Sequence, residues 1–230
     1  MKHIIFHPPK DEQKTIEIRA SQLNSFINPS PYEFTNLDNK VETMNLWDRY
    51  HSIVQYTMLM WIDKWVDIAM RHQKELEILS PFVREKEYRW FMDWWMEQII
   101  EIASQYKCNY IEEKRQCIID FSWYQVNLSW TSDADCDNIE YKWKNYWVII
   151  DIKSSWSKWS QDKANEERQK YYYVFLKCMN EWLDWCKFSY HIYTKQRRVQ
   201  HQTFDYYITK EEAESVLKWD LKFYLMSLSE

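Results

Sequence analysis

The chain has 230 residues, with 30 Lys and Arg against 35 Asp and Glu, a net charge of −5, 15 Trp and no glycine. Average usage would place about 16 glycines in a chain this long; their absence removes Gly-rich phosphate loops, dinucleotide fingerprints and Gly-x-Ser-x-Gly elbows, and with them kinase-like, Rossmann and hydrolase readings. The acidic balance argues against non-specific coating of nucleic acid while leaving room for a local basic groove, and the 5 Cys, with no C-x-x-C pair, give no zinc, iron–sulfur or even-numbered disulfide pattern.

The opening segment MKHIIFHPPKDEQ lacks the apolar run of a secretion signal. No stretch reaches the roughly 18 apolar residues of a membrane span, so a reducing cytoplasm is the expected setting. Residues 21–29, SQLNSFINP, predict a short amphipathic helix halted by Pro29 and Pro31. Apolar residues then recur at helical spacing from about 44 to 72, through Ile53, Val54, Met58, Ile62 and Ile68, and a third helical stretch runs from about 82 to 105. Beyond it the pattern changes to β-rich runs, YIEEKRQCIIDF, WYQVNLSW, TSDADCDNIEY and WVIIDIKSS, which predict an antiparallel meander ending in a buried strand. QDKANEERQKYYYVFLKCMNEWL predicts a helix with an acidic start. FSYHIYTK and HQTFDYYIT predict two more strands, and KEEAESVLKWDLKFYLMSL a closing amphipathic helix. With no repeat and no linker, the chain is expected to be a single α/β domain over 1–230. Its helical N-terminal part spans about 16–105, its core about 106–210 and its last helix 210–229.

The tryptophan count nearly equals the number of missing glycines. Trp156 and Trp159 punctuate the polar stretch SSWSKWSQDK, and Trp143 and Trp147 bracket YKWKNYW between apolar runs. Turns favour residues that tolerate positive φ, and indole does not. Two readings follow: a codon read as glycine in the source, such as a reassigned UGA, rendered as Trp; or a Trp-rich sequence, natural or designed. The intact mass of the protein from its native source separates them.

The chemistry concentrates between residues 130 and 173. In VIIDIKSS, Asp151 and Lys153 lie two apart on a strand, so their side chains share a face. Val148, Ile149 and Ile150 make that strand core-like, and an acid and a base at its end are costly there unless paired or metal-bound. Upstream, Asp133, Asp135 and Asp137 alternate in the same way. Carboxylates from neighbouring strands form a hard oxygen site for Mg²⁺ or Mn²⁺, and an adjacent Lys stabilises charge on a phosphate.

These residues resemble the PD-(D/E)XK nucleases, in particular the RecB-like and phage recombination exonuclease branch. Asp151-Ile152-Lys153 matches the (Asp/Glu)-x-Lys step at the end of an apolar strand, and Gln169 and Tyr173 match the Gln-x-x-x-Tyr of the helix that follows. Trp130-Thr131-Ser132-Asp133 matches Gly-x-x-Asp only if Trp130 stands for glycine; Asp133 is favoured, with Asp135 as the fallback if Ser132 replaces the glycine. Trp47 to His51 is similar to a Gly-x-x-x-His helix, again with Trp at the glycine place, and Glu112 or Glu113 could fill an acidic position before the Gly-x-x-Asp step. SQLNSFINPSPYEF is similar to the first helix of these nucleases, with Ser30-Pro31 where cluster-bearing relatives have Cys, so no iron–sulfur cluster is expected.

The resemblance implies a restriction-endonuclease-like core, a central mixed β-sheet flanked by helices, behind an N-terminal helical region. It also implies a Mg²⁺- or Mn²⁺-dependent deoxyribonuclease, an exonuclease of phage-type recombination or repair acting on DNA without sequence preference. Asp133, Asp151, the Ile152 carbonyl and His51 would hold the metal; Lys153 would act on the phosphate, and Gln169 and Tyr173 would brace the site or touch the backbone. Lys158, Lys163, Arg168, Lys170 and the run Lys195 to Arg198 could supply phosphate contacts. A single-strand-annealing or recombination partner and an oligomer are compatible with this picture. The alternative is a catalytically inactive protein of the same fold that serves DNA processing or protein interaction. Taken singly, each element has an ordinary explanation: a strand-end ion pair, a solvated acidic face, an i, i+4 helix pair, a helix histidine. Their order along the chain is what favours the nuclease reading.

Overall fold

The computed structural model describes residues 2–29, 108–111, 113–141, 144–155, 157–194 and 200–228. The helical stretches expected over 44–72 and 82–105, with His51 and Glu112, lie outside the described residues. Within them the protein is α/β, with two mixed sheets and four helices.

The chain opens with two strands that the sequence reading did not anticipate, β1 (Lys2–His7) and β2 (Lys14–Arg19), followed by α1 (Ala20–Ile27). The expected helical N-terminal part therefore begins in strand, not helix, at residues 16–19. β4 (Lys114–Phe121) and β5 (Tyr124–Thr131) form a hairpin across Ser122 and Trp123, and β1 and β2 pair in parallel with its two outer edges, giving the order β1-β4-β5-β2. The second sheet runs β3-β6-β7-β8-β9, from β3 (Cys108–Ile111), β6 (Ala134–Tyr141), β7 (Lys144–Ser155), β8 (Trp185–Thr194) and β9 (His201–Thr209). β7 and β8 pair in parallel and the other neighbours antiparallel.

One central sheet was expected and two are found. The run YIEEKRQCIIDF, read as one stretch, divides where β3 gives way to β4 before Lys114, and β5 gives way to β6 at Ser132 and Asp133, close to the boundary expected between WYQVNLSW and TSDADCDNIEY. The Ser132 N–H donates to the Glu113 carbonyl at 3.3 Å, so the sheets are tied at the bend. The bend matters because Asp133 sits on it.

The 161–183 stretch, expected as one helix, is two: α2 (Gln161–Glu166) and α3 (Gln169–Glu181), separated at Glu167 and Arg168. Ser160 caps α2 by accepting from the Lys163 N–H at 3.1 Å. The first N–H groups of α3 have no cap of their own; those of Arg168 and Gln169 both donate to Asn24 Oδ1 of α1 at 3.1 Å. α4 (Lys210–Ser227) starts at Thr209, whose hydroxyl accepts from Glu212 N–H at 3.1 Å, with Glu211 and Glu212 favouring the helix dipole. α3 lies on the sheets and α4 on α3, around a core that includes Leu23, Ile119, Leu128, Phe175, Phe188, Tyr190 and Leu217. Among the described residues no helix is long and apolar enough to cross a membrane.

Trp182 ends α3 at φ 58°, ψ 42°, the left-handed conformation that glycine takes at this position, and is 84% exposed. Among the described residues it is the one Trp with positive φ. Trp130 has a different character: it is 3% exposed and stacked on Tyr173. A non-glycine residue in the left-handed region costs about 1–2 kcal/mol, against which stands an exposed cation–π contact with Lys2 Nζ at 3.1 Å, typically about 0.5–1 kcal/mol. Trp182→Gly is therefore expected to raise unfolding stability by about 0.5–1 kcal/mol. Urea unfolding checks this; a fall in the midpoint would contradict it.

Candidate functional site

Residues paired across a parallel ladder point to the same side of the sheet. Asp151 pairs with Tyr190, Lys153 with Ile192 and Ile149 with Phe188, which puts the acid and the lysine on the face that packs against α3. Burying the acid and half-burying the lysine in an otherwise apolar strand requires partners, and α3 helps to provide them. Lys153 Nζ stands 2.9 Å from Asp151 Oδ2 and donates to Gln169 Oε1 at 2.9 Å. Gln169 Nε2 in turn donates to the Tyr173 hydroxyl one helical turn further on. Asp151 is 3% exposed and the Lys153 side chain 28%, so the group is open to solvent at the lysine.

Asp133 approaches from the bend between the sheets. Backbone pairing of β6 with β7 reaches Ala134 opposite Ile150, and just beyond it Asp133 Oδ2 accepts the Ile152 N–H at 2.8 Å. The carboxylate thus takes the place of a ladder acceptor and is fixed beside β7. Burial pulls the Lys153 ammonium toward neutrality, but the charges of Asp151 and Asp133 prevail and hold it above the ordinary lysine value of 10.5. Burial, with Asp151 and Asp133 adding to it, drives the Tyr173 phenol well above its ordinary value, so it is a neutral hydroxyl at physiological pH.

The structure therefore brings together Asp133, Asp151, Lys153, Gln169 and Tyr173, with the Ile152 backbone at their centre. Asp135, the fallback for Asp133, goes elsewhere. It is wholly buried, ion-paired to Arg115 Nη1 and 3.1 Å from Lys177 Nζ. Glu113 pairs with the same Arg115, so it belongs to this second cluster rather than to the carboxylate–lysine group. Asp137 lies further along β6. Of the basic residues considered for phosphate contact, Lys158 and Lys163 are exposed, while Lys170 is fully buried. Its ammonium donates to the carbonyls of Ala164 at 3.0 Å and Asn165 at 2.7 Å, closing the end of α2, and burial lowers it to about 8. Lys170 is a structural cap and unavailable to a ligand. The run Lys195 to Arg198 lies outside the described residues.

Sequence reasoning missed the Arg115–Asp135–Lys177 cluster and the Asn24 cap. Lys177 had a usable signal: with Gln169 and Tyr173 it continues an i, i+4, i+8 row along one helix face. That row places the two clusters side by side under α3. Trp130 joins them, stacked on Tyr173 at 4.3 Å with Arg115 5.3 Å from its ring.

Among the described residues no three His, Cys, Asp or Glu side chains form a metal cage. Asp133 and Asp151 do offer two hard oxygen ligands, the number Mg²⁺ takes when it keeps several waters.

The molecule is thus an α/β protein with a carboxylate–lysine cluster at a sheet bend, braced by a glutamine and a tyrosine from the covering helix. No protein-family model and no curated protein matches the chain. Among solved structures it is similar to the crystal structure of SSO0001, with 12% identity, 94% of this chain and 79% of that chain covered, and a TM-score of 0.38. It is also similar to Scheffersomyces stipitis Rai1 in complex with (3'-NADP)+ and calcium ion, with 12% identity, 79% and 58% covered, and a TM-score of 0.27. Likenesses this remote carry no inference about activity.

Proposed function

We propose that the protein is a divalent-metal-dependent deoxyribonuclease with a restriction-endonuclease-like core, of the PD-(D/E)XK kind its motifs resemble. The observation that supports this most is the junction of Asp133, Asp151 and Lys153 at the end of β7, with Gln169 bonded to the lysine from above. In this reading Asp133 and Asp151 hold Mg²⁺ or Mn²⁺, with the Ile152 carbonyl and His51 as further candidate ligands. Such an ion, when bound, polarises a phosphoryl oxygen and makes attacking water more acidic.

The protein's own side chains account for the rest. Lys153 holds a fixed positive charge where negative charge grows on the scissile phosphate. Gln169 aims that ammonium and is itself held by Tyr173 and by the Asn24 cap on α3. Exposed Lys158 and Lys163 beyond β7 meet the nucleic-acid backbone without reading bases.

The test is incubation of purified protein with linear and circular duplex DNA, with Mg²⁺ or with chelator. Metal-dependent loss of linear DNA with circles left intact is the expected result and fits an exonuclease of recombination or repair; nicked circles would make it an endonuclease. If neither DNA changes with Mg²⁺ or Mn²⁺, the catalytic reading fails and the inactive alternative stands.

A further inference from the structure

Two thiols that take no part in the carboxylate–lysine group meet between α3 and β8. Side chains alternate along a strand, so Cys186 shares with Phe188 and Tyr190 the face of β8 that is turned to α3. Cys178 lies in the last turns of α3, and its sulfur is 3.6 Å from that of Cys186. Both residues are buried, at 1% and 0% exposure, and only seven residues separate them in sequence, Met179 to Trp185. A disulfide holds its sulfurs about 2.05 Å apart, so a shift of roughly 1.5 Å joins the pair.

The connection between them contains a strained point. Trp182 caps α3 in the left-handed region, where a side chain is unfavourable, and is largely exposed. The N–H groups of Trp182 and Leu183 both donate to the Cys178 carbonyl, Leu183 at 3.0 Å, so opening this cap frees Cys178 itself. Further on, the Lys210 N–H donates to the Asp184 carbonyl at 2.8 Å and holds the start of β8, with Cys186, in place. While the cap is closed the pair is inert. The hydrogen bond to Cys178 and burial hold the Cys186 thiol well above its ordinary value, and a neutral thiol is a poor nucleophile.

We propose that Cys178 and Cys186 form a redox-sensitive lock: opening of the Trp182 cap admits a peroxide, oxidation joins the two sulfurs, and the end of α3 is fastened to β8 until a dithiol reductant releases it. The inference does not depend on the nuclease reading. With the cap open, the Cys178 thiolate attacks one oxygen of hydrogen peroxide and the O–O bond breaks. Cys178 becomes a sulfenic acid, and the departing hydroxide takes the proton that the thiol gave up, leaving as water. The Cys186 sulfur then attacks the Cys178 sulfur, the S–O bond breaks, and the hydroxyl leaves with the Cys186 proton as a second water. The two thiols lose two electrons in all, and the peroxide gains them.

The test uses the full chain. Folded, reduced protein is treated with hydrogen peroxide, quenched in acid, unfolded, alkylated and digested, and its peptides are weighed. The expected product is a peptide pair linked through Cys178 and Cys186, two hydrogens lighter than the separate peptides and parted by dithiothreitol, while the buried thiol of Cys117 is alkylated as before. Cys178 and Cys186 alkylated like Cys117, or carried on to sulfinic or sulfonic acid, overturns the lock. The linked protein should melt roughly 5 °C above the reduced form and return on reduction; an unchanged or lower midpoint in protein shown to be linked also overturns it. Trp182→Gly relieves the cap and favours its closed form, so linkage in this variant should be roughly two- to fivefold slower. Equal or faster linkage would show that the cap does not control access, and the lock as proposed fails.

Discussion

Asp135→Ala is expected to destabilise the protein by about 3–5 kcal/mol, the usual cost of removing one partner from a buried ion pair. The side chains of Asp135 and Lys177 are both 0% exposed and that of Arg115 is 3% exposed, so water cannot replace the lost carboxylate. The Trp147 ring, 3.5 Å from Lys177 Nζ, compensates only in part. Asp135→Ala combined with Lys177→Met should recover part of the loss, because one uncompensated charge goes with its partner. Denaturant unfolding at neutral pH measures both; a loss below about 1 kcal/mol for Asp135→Ala would show that the cluster does not hold α3 to the sheets.

The second large effect concerns catalysis. Lys153→Met is expected to lower the rate of metal-dependent DNA cleavage by about 10²–10³, the usual result of removing one preorganised group that stabilises a transition state. Binding of the metal should persist or tighten in this variant, because the ammonium 2.9 Å from Asp151 repels a cation. Asp151→Asn should instead lose metal affinity and cleavage together. Quenched time courses over a Mg²⁺ series separate the two patterns. Equal cleavage by the wild type and both variants would place the chemistry elsewhere.

Much of this site could be read from short-range pattern. Asp151 and Lys153 share a strand face, and Gln169 and Tyr173 share a helix face, because periods of two and of about 3.6 residues dictate it. The choice between Asp133 and Asp135 could not be read that way, since both lie on one face of the same run. Which of the two lies beside β7 depends on partners distant in sequence: the Ile152 N–H takes Asp133, while Arg115 and Lys177 enclose Asp135. The split of the 161–183 helix was hidden for a similar reason. Glu167 and Arg168 contain no breaker, and the start of α3 is fixed by Asn24, which lies 145 residues from Gln169 in sequence. β1 and β2 are short, and each gains its place by pairing with the edge of a hairpin more than 100 residues away, a register that no local window reveals.

The most direct test of the account is thermal melting of the wild type and of Asp151→Asn across a Mg²⁺ and Mn²⁺ titration. A site formed by Asp133 and Asp151 in the folded protein stabilises it by mass action, so the wild-type midpoint should climb with metal concentration beyond the binding constant. The Asp151→Asn midpoint should stay flat. A wild-type midpoint indifferent to both metals, or an equal climb in the variant, would contradict it.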